Sequence, residues 1–423
     1  MNSSSGGIYT VGSSVEPIWK CLEARKPAYV LFVVSANSAK QIGDGILPRL
    51  SYSPQFDQIL LRDEESLEKV YEDVKGGIAT WLGFKQLDPE NVYFNYTGGT
   101  KSMSAGLAMA AVEVLPSYVY VSGRRGEDGL GTVVSGTEEM LDGVNPWYRH
   151  AVREREQASL LYRQRLVEGA ARLLREGAAK SASGSVGLEL WAQFCDVLVY
   201  QQLFDFTKAD AEYKRLRPRF ESFLSGLGSI DLDWFRGQGA YLETLARQAN
   251  SNFEGSRPDL LMEILLNAER CAESARLDDA VARLYRVVEL FAQNALSQVV
   301  EGASLGKVRK SKVSESDWLR ICEAMPSERS CTRADGDEEF LFALAKIYEL
   351  LGAIGGEKYS HIHLVYQNEL KKVLMSRNQS ILAHGVQRMT REKYDLLLNA
   401  MTNSLGLRAN AEHRWPGLEF SRL

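Results

Sequence analysis

The chain has 423 residues, a formal net charge of −5, and hydrophobic and charged fractions of 45% and 25%. This length exceeds what one hydrophobic core usually serves, so two or three domains are expected in a soluble globular protein. The acidic balance argues against a broad surface for duplex nucleic acid, but it permits a small cleft that holds a few nucleotides.

No apolar run approaches the ~20 residues that a membrane span needs. The Ser/Gly-rich start lacks the basic and apolar regions of a signal peptide. The five cysteines, at positions 21, 195, 271, 322 and 331, show no CxxC pairing, which favours reduced thiols over disulfides or zinc. We therefore expect a cytoplasmic protein with no membrane partner and no metal site.

Strand and helix signals alternate over the first 150 residues, which predicts a Rossmann-like α/β domain. Tyr29–Val34 is a continuous apolar run, typical of a strand buried on both faces of a parallel sheet. Further strands are predicted at 58–62, 92–96 and 117–121, with 131–135 as a candidate fifth strand. Helices are predicted over 64–75 and between Thr100 and Pro116.

Beyond Asn145-Pro146 the pattern becomes helical, with amphipathic stretches at 188–198, 260–268 and 280–295. The polar stretches 303–316 and 327–338 are predicted to be loops. Thr390 is predicted to cap a last helix that ends near Gly406. The expected organisation is a Rossmann-like domain over 1–150, a helical connecting region over 151–260 and a helical domain over 261–423.

The loop Thr97-Gly98-Gly99-Thr100-Lys101 follows a predicted strand and opens a predicted helix. In doubly wound sheets, ligands bind beyond the carboxyl ends of the strands, where glycines expose backbone N–H groups and a helix start favours an anion. The loop is not a Walker A motif, because Thr100 separates Gly99 from Lys101. Its chemistry predicts a phosphate-binding site. The competing interpretation is a capped glycine turn without a ligand.

A second loop has similar small polar chemistry. Ser35-Ala36-Asn37-Ser38 follows the strand predicted at 29–34. Because the carboxyl ends of parallel strands meet at one edge of a sheet, we expect Ser35 and Asn37 to lie alongside the Thr97–Lys101 loop.

Arg377 and His384 are seven residues apart, which is nearly two helical turns, so both project from one face of a helix that also presents Asn378. A His can move a proton to or from a ribose hydroxyl or a leaving oxygen, and an Arg can hold the scissile phosphate. One Arg and one His make half of an acid–base pair, and a symmetric dimer would supply the rest. The competing interpretation is a surface Arg and a His that caps a helix near Gly385.

Together the motifs resemble those of the CRISPR-associated CARF–HEPN ribonucleases of type III immunity. The stretch Asn95–Lys101 after a strand is similar to the hallmark loop of CARF domains. The segment Arg377–His384 fits the HEPN pattern of Arg, four to six residues, then His. The stretch 282–290 looks like the first long helix of that family's HEPN region. The resemblance covers about 25–140 and 278–400.

The resemblance implies an N-terminal CARF domain and a C-terminal HEPN domain. It implies that a cyclic oligoadenylate, the tetra- or hexa-adenylate, is the allosteric activator. It also implies a homodimer with a composite active site that cuts single-stranded RNA without a metal or other cofactor and leaves a 2′,3′-cyclic phosphate. The implied activator contacts are Thr97, Gly98, Gly99, Thr100 and Lys101, with Ser35 and Asn37. The implied catalytic residues are Arg377 and His384, with Asn378 in support.

Three alternatives remain open from the residues. In the first, the chain is a CARF-type sensor whose helical half is a dimerisation or regulatory module. In the second, it is a ring nuclease in which Thr97, Thr100 and Lys101 cleave the activator. The third alternative is a Rossmann-like metabolic enzyme, although no cofactor fingerprint is present. His361 and His363 lack the further ligands that a metal site needs.

Overall fold

The computed structural model divides the chain into two compact units. One unit comprises Met1–Glu154 and Glu176–Ser185, and the other comprises Arg155–Arg175 and Val186–Leu423. The structure describes residues 5–124, 136–181, 185–227, 232–250, 255–372, 374, 388–409, 411–418 and 420. Within these residues, no helix is both long and apolar enough to span a bilayer.

The first unit is built on a six-stranded sheet. Its strands are β1 (Gly6–Thr10), β2 (Tyr29–Val34), β3 (Gln55–Leu60), β4 (Val92–Asn95), β5 (Ser117–Ser122) and β6 (Glu139–Val144). The strand order is β3-β2-β1-β4-β5-β6, in which β1 to β5 are parallel and β6 is antiparallel to β5. The chain reverses its direction across the sheet at β1, so the carboxyl ends of β1 and β4 meet at the topological switch point.

Helices cover both faces of this sheet. They are α1 (Glu16–Arg25), α2 (Leu67–Lys85), α3 (Lys101–Val112) and, after β6, the short α4 (Pro146–Arg149). One buried cluster joins α2 and α3 to the sheet through residues such as Val70 and Leu107. A second cluster on the opposite face includes Ile18 and Leu22 of α1 and alternate residues of β2. The run Tyr29–Val34 is therefore buried from both sides, as its composition predicted.

The second unit is mainly helical. Three of its helices, α5 to α7, begin or end in the first unit. The helices are α5 (Val152–Arg163), α6 (Val167–Lys180), α7 (Ser185–Gln202), α8 (Phe206–Leu227), α9 (Leu232–Ala249), α10 (Pro258–Glu273), α11 (Leu277–Val299), α12 (Glu315–Ala324), α13 (Leu344–Ile354), α14 (Gly356–Val365) and α15 (Arg391–Leu405). Helix α11 is central: Leu284, Val287 and Val288 are fully buried, and α10, α13 and α15 pack against it. The apolar spacing over 280–295 thus marks the core face of α11.

A buried ion pair organises the neighbouring helices. Glu263 of α10 is fully buried and pairs with Arg270. Its second oxygen accepts hydrogen bonds from Gln201 Nε2 at 2.9 Å and from the Tyr241 hydroxyl at 3.1 Å. The guanidinium of Arg270 lies 4.4 Å from the ring centroid of Trp415. Burial, and then the charge of Glu263, raises the pKa of Tyr241. This network ties α7, α9 and α10 to the C-terminal segment, because a buried charge must keep its partners.

The fold class predicted from the sequence, α/β followed by all-α, is confirmed, although two described strands of the first unit, β1 and β6, were not predicted. Strand β1 follows a Ser/Gly-rich start and is only five residues long, and β6 carries mostly exposed side chains. The candidate strand at 131–135 lies outside the described residues. At the other end, Thr390 accepts a hydrogen bond from Lys393 N, and α15 ends at Gly406 with φ 66°, as predicted.

The prediction that 303–316 and 327–338 are loops is wrong in part. They contain β7 (Lys307–Arg309) and β8 (Cys331–Thr332), which pair with β9 (Glu338–Leu341) in an antiparallel sheet of order β7-β9-β8. Strands of two to four residues with charged side chains do not show the apolar alternation by which a half-buried strand is recognised.

Gly106 allows α3 to lie close to α2, and its replacement should therefore destabilise the first unit. A Cβ at this position would lie 2.5 Å from Val70 Cγ1, so Gly106→Ala is expected to cost about 1–3 kcal/mol through overpacking. Gly76→Ala on α2 is the control, because a Cβ there meets nothing within 4 Å and should stabilise the helix by up to about 1 kcal/mol. Urea unfolding measures both variants. Equal effects of the two substitutions would contradict this account of the packing.

Candidate functional site

The loops that follow β1 and β4 are in direct backbone contact at the switch point. A Cβ on Gly98 would overlap the carbonyl oxygen of Thr10, and a Cβ on Gly12 would lie 2.6 Å from the amide nitrogen of Gly99. Gly99 has φ +86°, in the left-handed region that favours glycine. Only glycines therefore permit this contact, and the resulting crevice is lined by backbone.

Two side chains fix the start of the loop after β4. Asn95, which is 1% exposed, accepts a hydrogen bond through Oδ1 from Thr97 N at 2.9 Å. Thr97 Oγ1 in turn accepts a hydrogen bond from Val121 N at 2.9 Å, at the end of β5. The loop is thus attached to two neighbouring strands before it reaches the glycines.

The hydroxyl groups around the start of α3 form hydrogen bonds with other groups of the protein. Thr100 Oγ1 accepts a hydrogen bond from Met103 N at 3.2 Å and donates one to the carbonyl of Glu64 at 2.7 Å. Ser102 and Ser104 donate to the carbonyls of Glu65 and Gly98. The capped-turn interpretation is therefore correct for the side chain of Thr100, which positions the helix start that an anion would meet.

The first turn of α3 retains the groups that would meet a ligand. The amides of Lys101 and Ser102 have no carbonyl one turn earlier in the helix to bond. The Lys101 side chain is exposed, and it forms no ion pair in the part of the chain that the structure describes. Gly99 is also exposed. Backbone amides, the helix dipole and an ammonium group converge here, which is the chemistry of a phosphate site.

The loop after β1 is a part of the site that sequence reasoning missed. Ser13 and Ser14 are exposed directly after Gly12, which touches Gly99. The short run Ile8–Val11 followed by Gly-Ser-Ser was a usable signal, but β1 was not recognised. These two hydroxyls lie at the strand end that neighbours β4.

Ser35 and Asn37 follow β2, which β1 separates from β4 in the sheet. Ser35 is 5% exposed, and it exchanges hydrogen bonds with Ser38 in which each backbone amide donates to the other side chain, at 2.9 and 3.2 Å. Asn37 is exposed. The immediate neighbour of the Thr97–Lys101 loop is therefore the loop after β1, and Ser35–Ser38 comes one strand further.

The predicted catalytic residues Arg377, Asn378 and His384 lie outside the described residues. The residues on either side of this segment are fixed in the core of the second unit. Leu374 and Met389 are 4% and 1% exposed and belong to the same buried cluster as α11. The amide of Met389 also donates to Asp278 Oδ1 at 3.3 Å, at the start of α11.

The flanks of this segment are basic. Residues 370–393 contain the cations Lys371, Lys372, Arg377, Arg388, Arg391 and Lys393, against the single acid Glu392. Lys371, Lys372 and Arg388 are exposed, and none of them forms an ion pair within the described ranges. Glu289 pairs with Arg286 at 2.6 Å on the same helix, α11.

The two histidines at 361 and 363 lie on α14. Among the described residues, no group of three or more His, Cys, Asp and Glu side chains is placed to hold a metal ion.

Comparison with known proteins gives a family match for part of the chain and structural likenesses to solved proteins. Residues 249–407 match the family described as the Csm6 HEPN domain. The structure of Enterococcus italicus Csm6 bound to cyclic hexa-2'-fluoro-hexa-dAMP is 11% identical, with a TM-score of 0.55 over 95% of this chain and 93% of that chain. At this identity the likeness concerns the fold.

A weaker likeness is to Can2 from Sulfobacillus thermosulfidooxidans in complex with cyclic tetra-adenylate. That protein is 12% identical, with a TM-score of 0.25 over 48% of this chain and 67% of that chain, and it adds no argument. None of the curated proteins matches the sequence.

Loss of the Thr100 hydroxyl should loosen the start of α3. Thr100→Val removes the acceptor for Met103 N and the donor to Glu64, so we expect a loss of about 1–2 kcal/mol in unfolding free energy and faster hydrogen exchange at the Met103 amide. Thr100→Ser keeps the hydroxyl and should remain within about 0.5 kcal/mol of the wild type. Wild-type stability and exchange in Thr100→Val would contradict the assigned cap.

Proposed function

From the premise that this chain is a CRISPR-associated CARF–HEPN protein, we propose that it is an endoribonuclease activated by cyclic oligoadenylate in type III antiviral defence. One observation carries the proposal: a glycine-built crevice with the chemistry of a phosphate site lies at a switch point in the same chain as residues that match the Csm6 HEPN domain. In the proposed organisation, residues 1–150 sense the activator, 151–260 connect, and 261–423 cut RNA.

The proposed activator is cyclic tetra- or hexa-adenylate, whose repeated phosphates suit an anion site of this kind. Phosphate groups would meet the amides at the start of α3 and the ammonium of Lys101. Gly98 and Gly99 let the ligand approach the backbone, while Thr97 and Thr100 hold the loop in place. Ser35 and Asn37 extend the proposed contacts along the sheet edge. The ring symmetry of such a ligand matches a homodimer in which each copy supplies one loop.

The proposed reaction is attack of a ribose 2′-hydroxyl on the adjacent phosphate of single-stranded RNA. His384 acts as general base or acid, Arg377 holds the phosphate and stabilises developing charge, and Asn378 supports them. The products are a 2′,3′-cyclic phosphate and a free 5′-hydroxyl, and the residues need no metal for this chemistry. A second copy of the chain completes the acid–base pair in a composite site.

The basic flanks of the Arg377–His384 segment support a polyanionic substrate. Lys371, Lys372 and Arg388 expose charges without ion-pair partners among the described residues, although the chain as a whole is acidic. Counterion release by a few such contacts is enough for transient binding of a single strand.

Cleavage of labelled single-stranded RNA in EDTA, with cyclic tetra- or hexa-adenylate added in turn, tests the proposal. Wild type should cut RNA only with one of the rings, and His384→Ala should reduce the rate by at least about a hundredfold, the usual minimum for a lost general acid–base group. His361→Ala is the matched control, since His361 is exposed on α14 outside the motif, and it should keep the wild-type rate.

Binding of a ring without RNA cleavage would instead favour a sensor, and consumption of the ring would favour a ring nuclease. Equal rates for His384→Ala and His361→Ala would remove His384 from the chemistry.

The double variant Lys371→Gln/Lys372→Gln should weaken RNA engagement. Because each phosphate contact to a single strand contributes a slope of about −0.7, the salt dependence of kcat/KM should become shallower by up to ~1.4. We expect KM to rise severalfold with kcat unchanged. The control is Lys358→Gln/Arg408→Gln, which removes two other exposed charges of the same unit. Indistinguishable salt slopes for the two double variants would show that the flanking charges are only a solvated surface.

A further inference from the structure

Helix α3 extends from the proposed ligand loop to a single buried asparagine. It begins at Lys101 beside the loop and has 12 residues, which gives it a length of about 18 Å. Gly106, Ala110 and Ala111 are buried on the face that packs against α2 and the sheet. A short helix packed in this way shifts as one body, because interiors at native density transmit displacement.

Asn145 forms hydrogen bonds at the C-terminal end of α3. Its side chain is 1% exposed, and Nδ2 donates to the carbonyls of Val112 at 2.6 Å and Leu115 at 2.8 Å. The other side-chain atom, Oδ1, accepts from Trp147 N at 2.9 Å and so caps α4. One amide group therefore joins the end of α3 to the start of α4 and uses both its donors and its acceptor.

The backbone of Asn145 strengthens the same link. Its amide donates to the carbonyl of Pro116 at 2.8 Å, and its carbonyl accepts from Arg149 N at 2.8 Å. An aspartate here would place a negative charge against two carbonyls, and a serine is too short to span both helices. The link thus depends on the amide chemistry of this one side chain.

The segment that starts at Asn145 leads to every covalent connection between the two units. The chain passes between the units after Glu154, after Arg175 and after Ser185, which are points in or beside α5, α6 and α7. Inside the first unit, Ser181 Oγ donates to the carbonyl of Arg149 at 2.7 Å, and Lys180 pairs with Glu154 at 2.9 Å. A displacement of α4 would therefore act on α5 and on the end of α6, the two helices that contain the first two of these crossings.

We propose that Asn145 is a positioning residue that couples occupancy of the loop at the start of α3 to the connections between the two units. This inference rests on the proposed function and assigns its regulation. The ligand acts on the loop and the first turn of α3, and Asn145 makes α4 follow the other end of that helix. Without the amide, the ligand still binds, but the movement of α3 no longer reaches α4.

The test compares binding with activation in the full-length protein. Asn145→Ser should bind the activating cyclic oligoadenylate within about threefold of wild type by calorimetry, while the ratio of stimulated to basal RNA cleavage falls at least tenfold. Ser66→Ala is the control, because it removes the side-chain cap of another helix, α2, in the same unit. It should leave the stimulation ratio unchanged, as a purely structural cap would.

A second measurement uses the wild type and does not depend on a variant that folds. Addition of the ring should slow hydrogen exchange at the amides of Trp147 and Arg149, both of which are bonded to Asn145, by at least about threefold. Unchanged exchange there overturns the coupling. So does normal stimulation of Asn145→Ser, or parallel loss of binding and stimulation in Asn145→Ser and Ser66→Ala. A wild type that does not respond to any ring overturns the proposed function as well as this inference.

Discussion

The contact between two stretches of backbone at the switch point determines the geometry of the first unit. Thr10–Gly12 and Gly98–Gly99 approach so closely that a side chain on Gly12 or Gly98 would force them apart. This contact brings the ends of β1 and β4 together and sets where α3 begins. Since the crevice is lined by backbone, its chemistry is that of amides and a helix terminus, which favours an anion over an apolar ligand.

Several other features follow from that position of α3. Thr100 bonds both Met103 N and the carbonyl of Glu64, so the start of the helix is held from two directions. Gly106 lets its middle pack against α2, and Asn145 holds its end. The helix is thus constrained at three points along its length. Binding energy applied to the loop can therefore act on distant atoms without a long path of side chains.

The core of the second unit is built around one helix, α11. The helix lies among α10, α13 and α15, and its apolar face forms the centre of the largest described cluster. Leu374 and Met389 enter that cluster from the two sides of the segment that carries Arg377 and His384. The proposed catalytic pair would have to be placed accurately, and anchoring both flanks of the segment in one core would serve that need.

The fold class and part of the candidate site could be predicted from the sequence where the local signal was strong. The run Tyr29–Val34, the loop after β4 and the cap at Thr390 each combine a pattern with a physical reason. Strand β1 was missed because its apolar run is short. The loop that follows it, Gly12-Ser13-Ser14, was missed with it. The pairing of Gly12 with Gly99 is a long-range contact that no local pattern contains, and the same is true of the bonds made by Asn145.

The central claim is that the loop at the start of α3 binds the activating ring. The most direct test is to measure how RNA cleavage depends on activator concentration in wild type and in Lys101→Gln. Lys101 supplies an exposed charge at the loop and forms no ion pair among the described residues. Its loss should raise the half-maximal concentration of the ring at least tenfold, about 1.4 kcal/mol of binding energy, while the maximal rate stays unchanged. Cleavage that is independent of the ring, or an unchanged half-maximal concentration in Lys101→Gln, would contradict the account.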